Sequence, residues 1–333
     1  MKSLPTSYTA ARKWGIILLL ALASLGAALL SMSFGSTQVP FSEILTALMG
    51  GETQAYNIVV YARLPRTLAA LLCGSALAVG IQGVLGNPLA GPNIIGVNAG
   101  AGLGAVLCAA LIPTSMTAVP VAAFLGALGA CMLVYTLARR TGASRITLVL
   151  AGVAISSMLS AAIDAVSILF PEAALGAGSF MVGRLSGVTV AALKVPALLS
   201  LLAGAGAFAM SYELDLLTLG DEVAQSLGLS ARAARNLLLT LAAVLCGAAV
   251  SFAGLVGFVG LLVPHAARFL VGTRHRDLIL VSMLLGALLV TVCDLLGRVI
   301  FAPFELPVGI LLSLLGGPFF LWLLFRQRGG RRL

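Results

Sequence analysis

Three observations predict an all-α polytopic membrane protein of about ten transmembrane helices. The first is composition: 60% of the 333 residues are hydrophobic and only 9% are charged, against about 25% charged in an ordinary soluble domain. The second is a set of apolar runs of crossing length, at residues 14–34, 67–85, 94–112, 118–138, 146–169, 191–211, 278–297 and 307–325. The third is the largely apolar stretch 237–271. A single helix of that length would extend about 50 Å, well beyond a hydrocarbon core of about 30 Å. Gly254, Gly257 and Gly260 supply a break, so the stretch counts as two helices and completes ten. Residues 1–333 then form one transmembrane domain, with no room for a soluble catalytic one.

The first run follows Lys2, Arg12 and Lys13, a charge order shared with secretory signal peptides. Its length of about 20 apolar residues exceeds the roughly 7 to 15 of a signal core, so a retained crossing is expected. Residues 171–190 are too polar and Gly-rich to cross; a short helix dipping back at the outer surface is expected there. Ten crossings put both termini on one side, and the positive-inside rule tests that parity. Lys2, Arg12, Lys13, Arg139, Arg140, Arg145, Arg232, Arg235, Arg274, Arg276, Arg326, Arg328, Arg331 and Arg332 all fall on the same, cytoplasmic side. A single crossing at 237–271 would strand the last six outside.

The net charge of +9 is thus read as membrane orientation. Its arginines sit at the ends of apolar runs and are not interleaved with aromatic residues, so nucleic acid is not an expected partner. The five cysteines lie inside apolar runs without a CxxC spacing and read as small core residues. Gly96, Gly100 and Gly104 recur every four positions, which lines them along one helical face for close packing.

Several short motifs interrupt this pattern. Arg63-Leu64-Pro65-Arg66 opens the second crossing; after Gln82 come Asn87-Pro88-Leu89-Ala90-Gly91-Pro92, then Gly96 and Gly100-Ala101. Further on stand Gly220-Asp221-Glu222 with Ala224 and Ser226-Leu227-Gly228, then Gly257-Phe258-Val259-Gly260-Leu261, Val263-Pro264-His265 with Arg268, Asp294 with Arg298, and Glu305-Leu306-Pro307-Val308-Gly309. In this order, over about residues 14–326, they resemble the iron-chelate and cobalamin permease family of ABC importers.

That resemblance implies the type II ABC importer permease fold, in the bacterial cytoplasmic (inner) membrane. The implied cargo is a metal chelate, a ferric siderophore first, haem or cobalamin next. The implied partners are a second permease copy or a close relative, two cytoplasmic ATPase subunits, an extracytoplasmic substrate-binding protein and membrane lipid. The chain itself would be no enzyme and would bind no metal or cofactor, with ATP used by the partner ATPase. Independently of the resemblance, no GxxxxGK[ST] phosphate loop occurs in the sequence.

Residues 212–235 are expected to form a cytoplasmic loop. Within it, Asp221 and Glu222 suit a helix N-terminus, Val223, Ala224 and Leu227 would share a face, Gly228 can end the helix, and Ser230 can cap the next. The bland reading is a solvated connector. The resemblance makes Gly220, Asp221, Glu222, Ala224, Ser226, Leu227 and Gly228 the ATPase coupling segment. Arg63, Arg66 and Arg298 fall outside, against the usual charge bias. They are either snorkelling anchors or, as the resemblance implies, docking residues for carboxylates of the binding protein. Asn87, Pro88, Gly96, Gly100, Pro264, His265, Arg268, Asp294 and Pro307 are carried as motif residues of structural type.

Ionisable residues within a membrane are functional suspects, and Asp164, Asp294 and His265 qualify. They support a rival reading, a proton-coupled secondary transporter, which would need no ATPase loop. The discounting reading is structural: His265 follows Pro264, which frees a backbone carbonyl, and Asp294 can pair with Arg298 at i,i+4. An intramembrane enzyme lacks HExxH, GxSxG or paired carboxylates. A bare-ion channel would gather ligating side chains, whereas this chain has two histidines and scattered methionines, so the cargo is expected to be wrapped.

Overall fold

The apolar runs fold as helices, and the computed structural model describes residues 10–35, 37–51, 54–79, 91, 96–113, 115, 117–140 and 145–329. In chain order the α-helices are α1 (Ala10–Ser33), α2 (Phe41–Leu48), α3 (Leu64–Ala78), α4 (Val97–Leu111), α5 (Ala118–Arg140), α6 (Arg145–Leu169), α7 (Pro171–Met181), α8 (Val190–Ala209), α9 (Ser211–Thr218), α10 (Asp221–Ser226), α11 (Ala231–Ala253), α12 (Val259–Val271), α13 (His275–Val299) and α14 (Val308–Gly329). Among the described residues seven helices are long and apolar enough to cross a membrane. Three shorter apolar helices, Val97–Leu111, Val259–Val271 and Val308–Leu323, stand where the remaining three crossings are expected.

The long stretch 237–271 breaks as its length requires. α11 stops at Gly254, whose φ of 72° and ψ of −162° suit a residue without Cβ. The chain turns through residues 254–258 and α12 starts at Val259. Gly260, expected to contribute to the break, lies inside α12 instead. The stretch after α6 forms the short helix α7, packed on α4 and α6. Backbone bonds hold its far end: Leu255 N–H donates to Phe180 O at 2.9 Å and Gly309 N–H to Gly183 O at 3.1 Å.

α11 sits at the centre, buried along most of its length and packed against α3, α4, α5 and α8. Small residues set how closely the helices cross. At Gly74 of α3 an added Cβ would collide with the Gly286 backbone of α13, and the reverse holds at Gly286. Gly100 and Gly104 of α4 meet the Gly126 and Ala122 backbones of α5 in the same way, as their spacing predicted. Gly96 departs from that stripe. It caps the start of α4 in the left-handed region, φ 77°, so its backbone rather than a helix contact demands glycine. All five cysteines are buried and free.

Three elements escaped the sequence reading, one of them α9, which forms a helix within the expected loop 212–235. α2 turns Ile44 and Ala47 onto Met32, Val39 and Val59, and a π-helical turn at Ile58–Arg63 leads into α3. Side-chain bonds define the two ends of the bundle. At one end the close of α1 and the start of α3 meet through Ser31 and Thr67, 2.9 Å apart. At the other the start of α1 meets the start of α13 through Lys13 and Asp277, 2.5 Å apart.

Candidate functional site

The first charged cluster sits where α1 ends, α3 begins and α13 ends. The last carbonyls of α1 have no intrahelical partner, and Arg63 supplies one. Its Nη1 donates to Met32 O at 2.7 Å and Ser33 O at 2.8 Å, and its Nη2 donates to Thr37 O and, at 3.1 Å, to Thr37 Oγ1. Arg66 Nε donates to both oxygens of Asp294 at 3.0 Å, while its Nη1 donates to Glu305 Oε2 at 2.7 Å. Arg298 completes the group. Its Nε lies 3.2 Å from Asp294 Oδ2 in the expected i,i+4 pair, and its Nη2 donates to Ser31 Oγ at 2.6 Å.

The structure therefore brings Arg63, Arg66 and Arg298 together, but it does not present them as a docking face. They are 5, 8 and 3% exposed. The physical reason is local competition: a buried carboxylate and unpaired helix-end carbonyls lie closer than any external partner, and charge-assisted bonds to them are strong. Exposure at this cluster belongs mainly to Glu305.

The second group is the segment from α9 to the start of α11. Gly220 opens α10 with φ 107°, Asp221 and Glu222 lie in its first turn, and Gly228, φ 84°, ends it. There Leu229 N–H donates to Ala224 O at 3.0 Å and Gly228 N–H to Gln225 O at 2.9 Å, closing the helix much as a Schellman turn does. Asp221 also binds Arg235 of α11 with both oxygens, at 2.7 and 3.0 Å. Two expectations need correction. Ala224 is fully buried while Val223 and Leu227 are exposed, so the three do not share a face: Ala224 anchors the helix and the other two point away. Ser230 stands at the N-cap of α11 but its side chain makes no cap bond. The result is a small helix fastened at its base, displaying Glu222, Val223, Ser226 and Leu227, the last 59% exposed.

The first turn of α13 adjoins this segment, and sequence reasoning missed it. His275 donates to Asp215 Oδ1 of α9 twice, from the backbone N–H at 3.0 Å and from Nδ1 at 2.6 Å. Spacing gave no signal for a pair 60 residues apart.

Of the remaining motif residues, Pro264 lies inside α12 and is buried. His265 packs edge-on to Phe269 and Phe319, with ring centroids 5.1 and 6.2 Å away. Arg268 lies in the last turn of α12. Pro307 precedes α14 and accepts from Ile310 N–H at 3.1 Å. Asp164 is exposed on α6. Asn87 and Pro88 lie outside the described residues. Among the described residues no group of three or more His, Cys, Asp or Glu side chains could hold a metal ion.

With both ends and the ten apolar helices in place, the comparison with known proteins is decisive. Residues 19–326 match the model of the FecCD transport family. The chain belongs to the FecCD transport family. Within it, the Fe(3+) dicitrate transport system permease protein FecD of Escherichia coli is 39% identical over 95% of this chain and 100% of that protein. The hemin transport system permease protein HmuU of Yersinia pestis is 37% identical over 95% of this chain and 96% of that protein. The FecCD chain also superposes on the solved structure of a transporter assigned to the metal-chelate ABC type, in an inward-facing conformation. The TM-score is 0.82 at 28% identity, covering 94% of this chain and 99% of the other.

Proposed function

We propose that this chain is the membrane-spanning permease subunit of an ABC importer that takes up a metal chelate, a ferric chelate first and haem or cobalamin next. The observation that carries this reading is the match of nearly the whole chain to the FecCD family, whose ferric citrate and hemin permeases lie at 39 and 37% identity. ATP is hydrolysed by two separate ATPase subunits seated at the α10 end, which is cytoplasmic along with both termini. A second permease copy or close relative, a substrate-binding protein on the opposite face and the lipid of the inner membrane complete the machine. No cofactor is held by this chain, and residues 212–235 are its coupling loop.

Val223 and Leu227 give the ATPase an apolar contact that costs the free permease exposure of large side chains, as an interface does. At the other end the buried arginines support the docking surface from beneath. An acidic lobe of the binding protein reaches Arg66 by displacing Glu305, its outermost partner.

Cells lacking this chain should lose uptake of one cargo among ferric citrate, a ferric siderophore, haem and cobalamin, and regain it with the wild-type chain. Unaltered uptake of all four would count against the proposal.

A further inference from the structure

Three consecutive residues in the first turn of α13 each reach a different helix. His275 binds Asp215 of α9 through its backbone N–H and its Nδ1. The guanidinium of Arg276 lies 5.9 Å from the centroid of the Phe208 ring, near the end of α8, within cation–π range. Asp277 lies 2.5 Å from Lys13 Nζ of α1. α9 leads into α10 through Leu219 and Gly220 alone, so the displayed helix and this junction are nearly contiguous.

The rest of α13 is fastened to α1 along its length. Lys13 meets Asp277 at one end, Ser24 Oγ donates to Leu284 O at 3.2 Å in the middle, and Arg298 Nη2 donates to Ser31 Oγ at 2.6 Å at the other end. The far end of α13 also carries Asp294, held by Arg66 of α3. Two parallel helices bonded at three levels form a strut, and the strut connects the α9–α10 segment to the cluster of Arg63, Arg66 and Arg298.

We infer that His275 is a positioning residue for transport: through Asp215 it makes the α1–α13 strut follow the α9–α10 segment, so that movement imposed by the ATPase at one end repositions the charged cluster at the other. This rests on the reading of α10 as the ATPase contact. The chemistry of the clasp favours such a role. One aspartate oxygen accepts two donors from one residue, capping an otherwise unpaired N–H at the start of α13 and fixing the imidazole relative to α9. A helix end held in this way moves with its partner. An end resting on apolar contacts alone can slide. The hydrogen bond is also specific in what can replace it. An Asn amide places an N–H donor where Nδ1 stands, whereas Ala leaves only the backbone bond.

The test uses the permease assembled with its ATPase in lipid vesicles, carrying Phe304→Cys as reporter. Phe304 is exposed beside Glu305, and the five native cysteines are buried. The rate of maleimide labelling at position 304 is measured with and without ATP plus vanadate. In the otherwise wild-type chain trapping should change that rate by at least about fivefold, the low end of ordinary coupling between sites. In His275→Ala the change should vanish while the rate without nucleotide stays the same, and in His275→Asn it should return. The inference is overturned by an equal ATP-dependent change in all three, or by no change in the wild-type chain. It is equally overturned if Asn behaves as Ala does, or if labelling without nucleotide is altered along with the response, since that marks general damage. Failure of the wild-type chain to retain an ATPase at all is a different result: it removes the proposed function before any variant is compared.

Discussion

Asp294 and Arg66 meet across 228 residues of sequence, with Arg66 Nε 3.0 Å from each carboxylate oxygen and Asp294 only 1% exposed. Removing one partner of a buried ion pair leaves a charge without compensation, which costs about 3–5 kcal/mol. Asp294→Ala should therefore lower the unfolding temperature of the detergent-solubilised protein and its folded yield. Glu305→Ala, which removes a more open partner, should be milder, within about 1 kcal/mol. Equal stability of the Asp294→Ala and wild-type proteins in a thermal unfolding assay would show that the cluster does not hold this end together.

The crossing of α3 and α13 depends on two missing side chains. Gly74→Leu places atoms where the Gly286 backbone already lies, so the helices must part, at a cost of about 1–3 kcal/mol or more. Size-exclusion profiles should show aggregation or loss of folded protein for Gly74→Leu. Gly176→Leu, on α7 where nothing lies within 4 Å, should elute normally.

On α10, Leu227→Asp alters an exposed side chain and should leave the fold intact. It should sharply reduce co-purification of the ATPase, because a charge enters an apolar contact without a partner. The same substitution at buried Ala224 should instead damage the permease itself. A Leu227→Asp complex that assembles and transports normally would remove the coupling role of this segment.

How much of this was legible beforehand follows from which interactions are local. The break near Gly254 could be read because a helix of that length cannot fit one crossing. The i,i+4 pair of Asp294 and Arg298 and the stop at Gly228 follow from spacing, as does the Gly100–Gly104 stripe. What spacing could not give is direction in three dimensions. Arg63, Arg66 and Arg298 read as a docking face because the long-range partners that bury them, the α1 carbonyls for Arg63, Asp294 for Arg66 and Ser31 for Arg298, reach them only after folding. Val223, Ala224 and Leu227 look like one face on a long helix, but α10 has only six residues, and its two flanking turns decide what points inward. The clasp of Asp215 and His275 joins two residues that carry no motif, so nothing in the chain marked them.

Orientation can be read with single cysteines. Phe304→Cys, at the α13–α14 turn, should react with an impermeant maleimide added to intact cells. Leu227→Cys should react only after permeabilisation. The reverse pattern would invert the topology and place α10 on the wrong side for a cytoplasmic ATPase.

The most direct test is the energy source for uptake. Vesicles containing this chain, its ATPase and its binding protein loaded with a radiolabelled ferric chelate should accumulate iron only when ATP is supplied on the α10 side, and a protonophore should leave the rate unchanged. Accumulation that proceeds without ATP and collapses when the proton gradient is removed would contradict an ABC permease and return Asp164, His265 and Asp294 to candidacy as a proton relay.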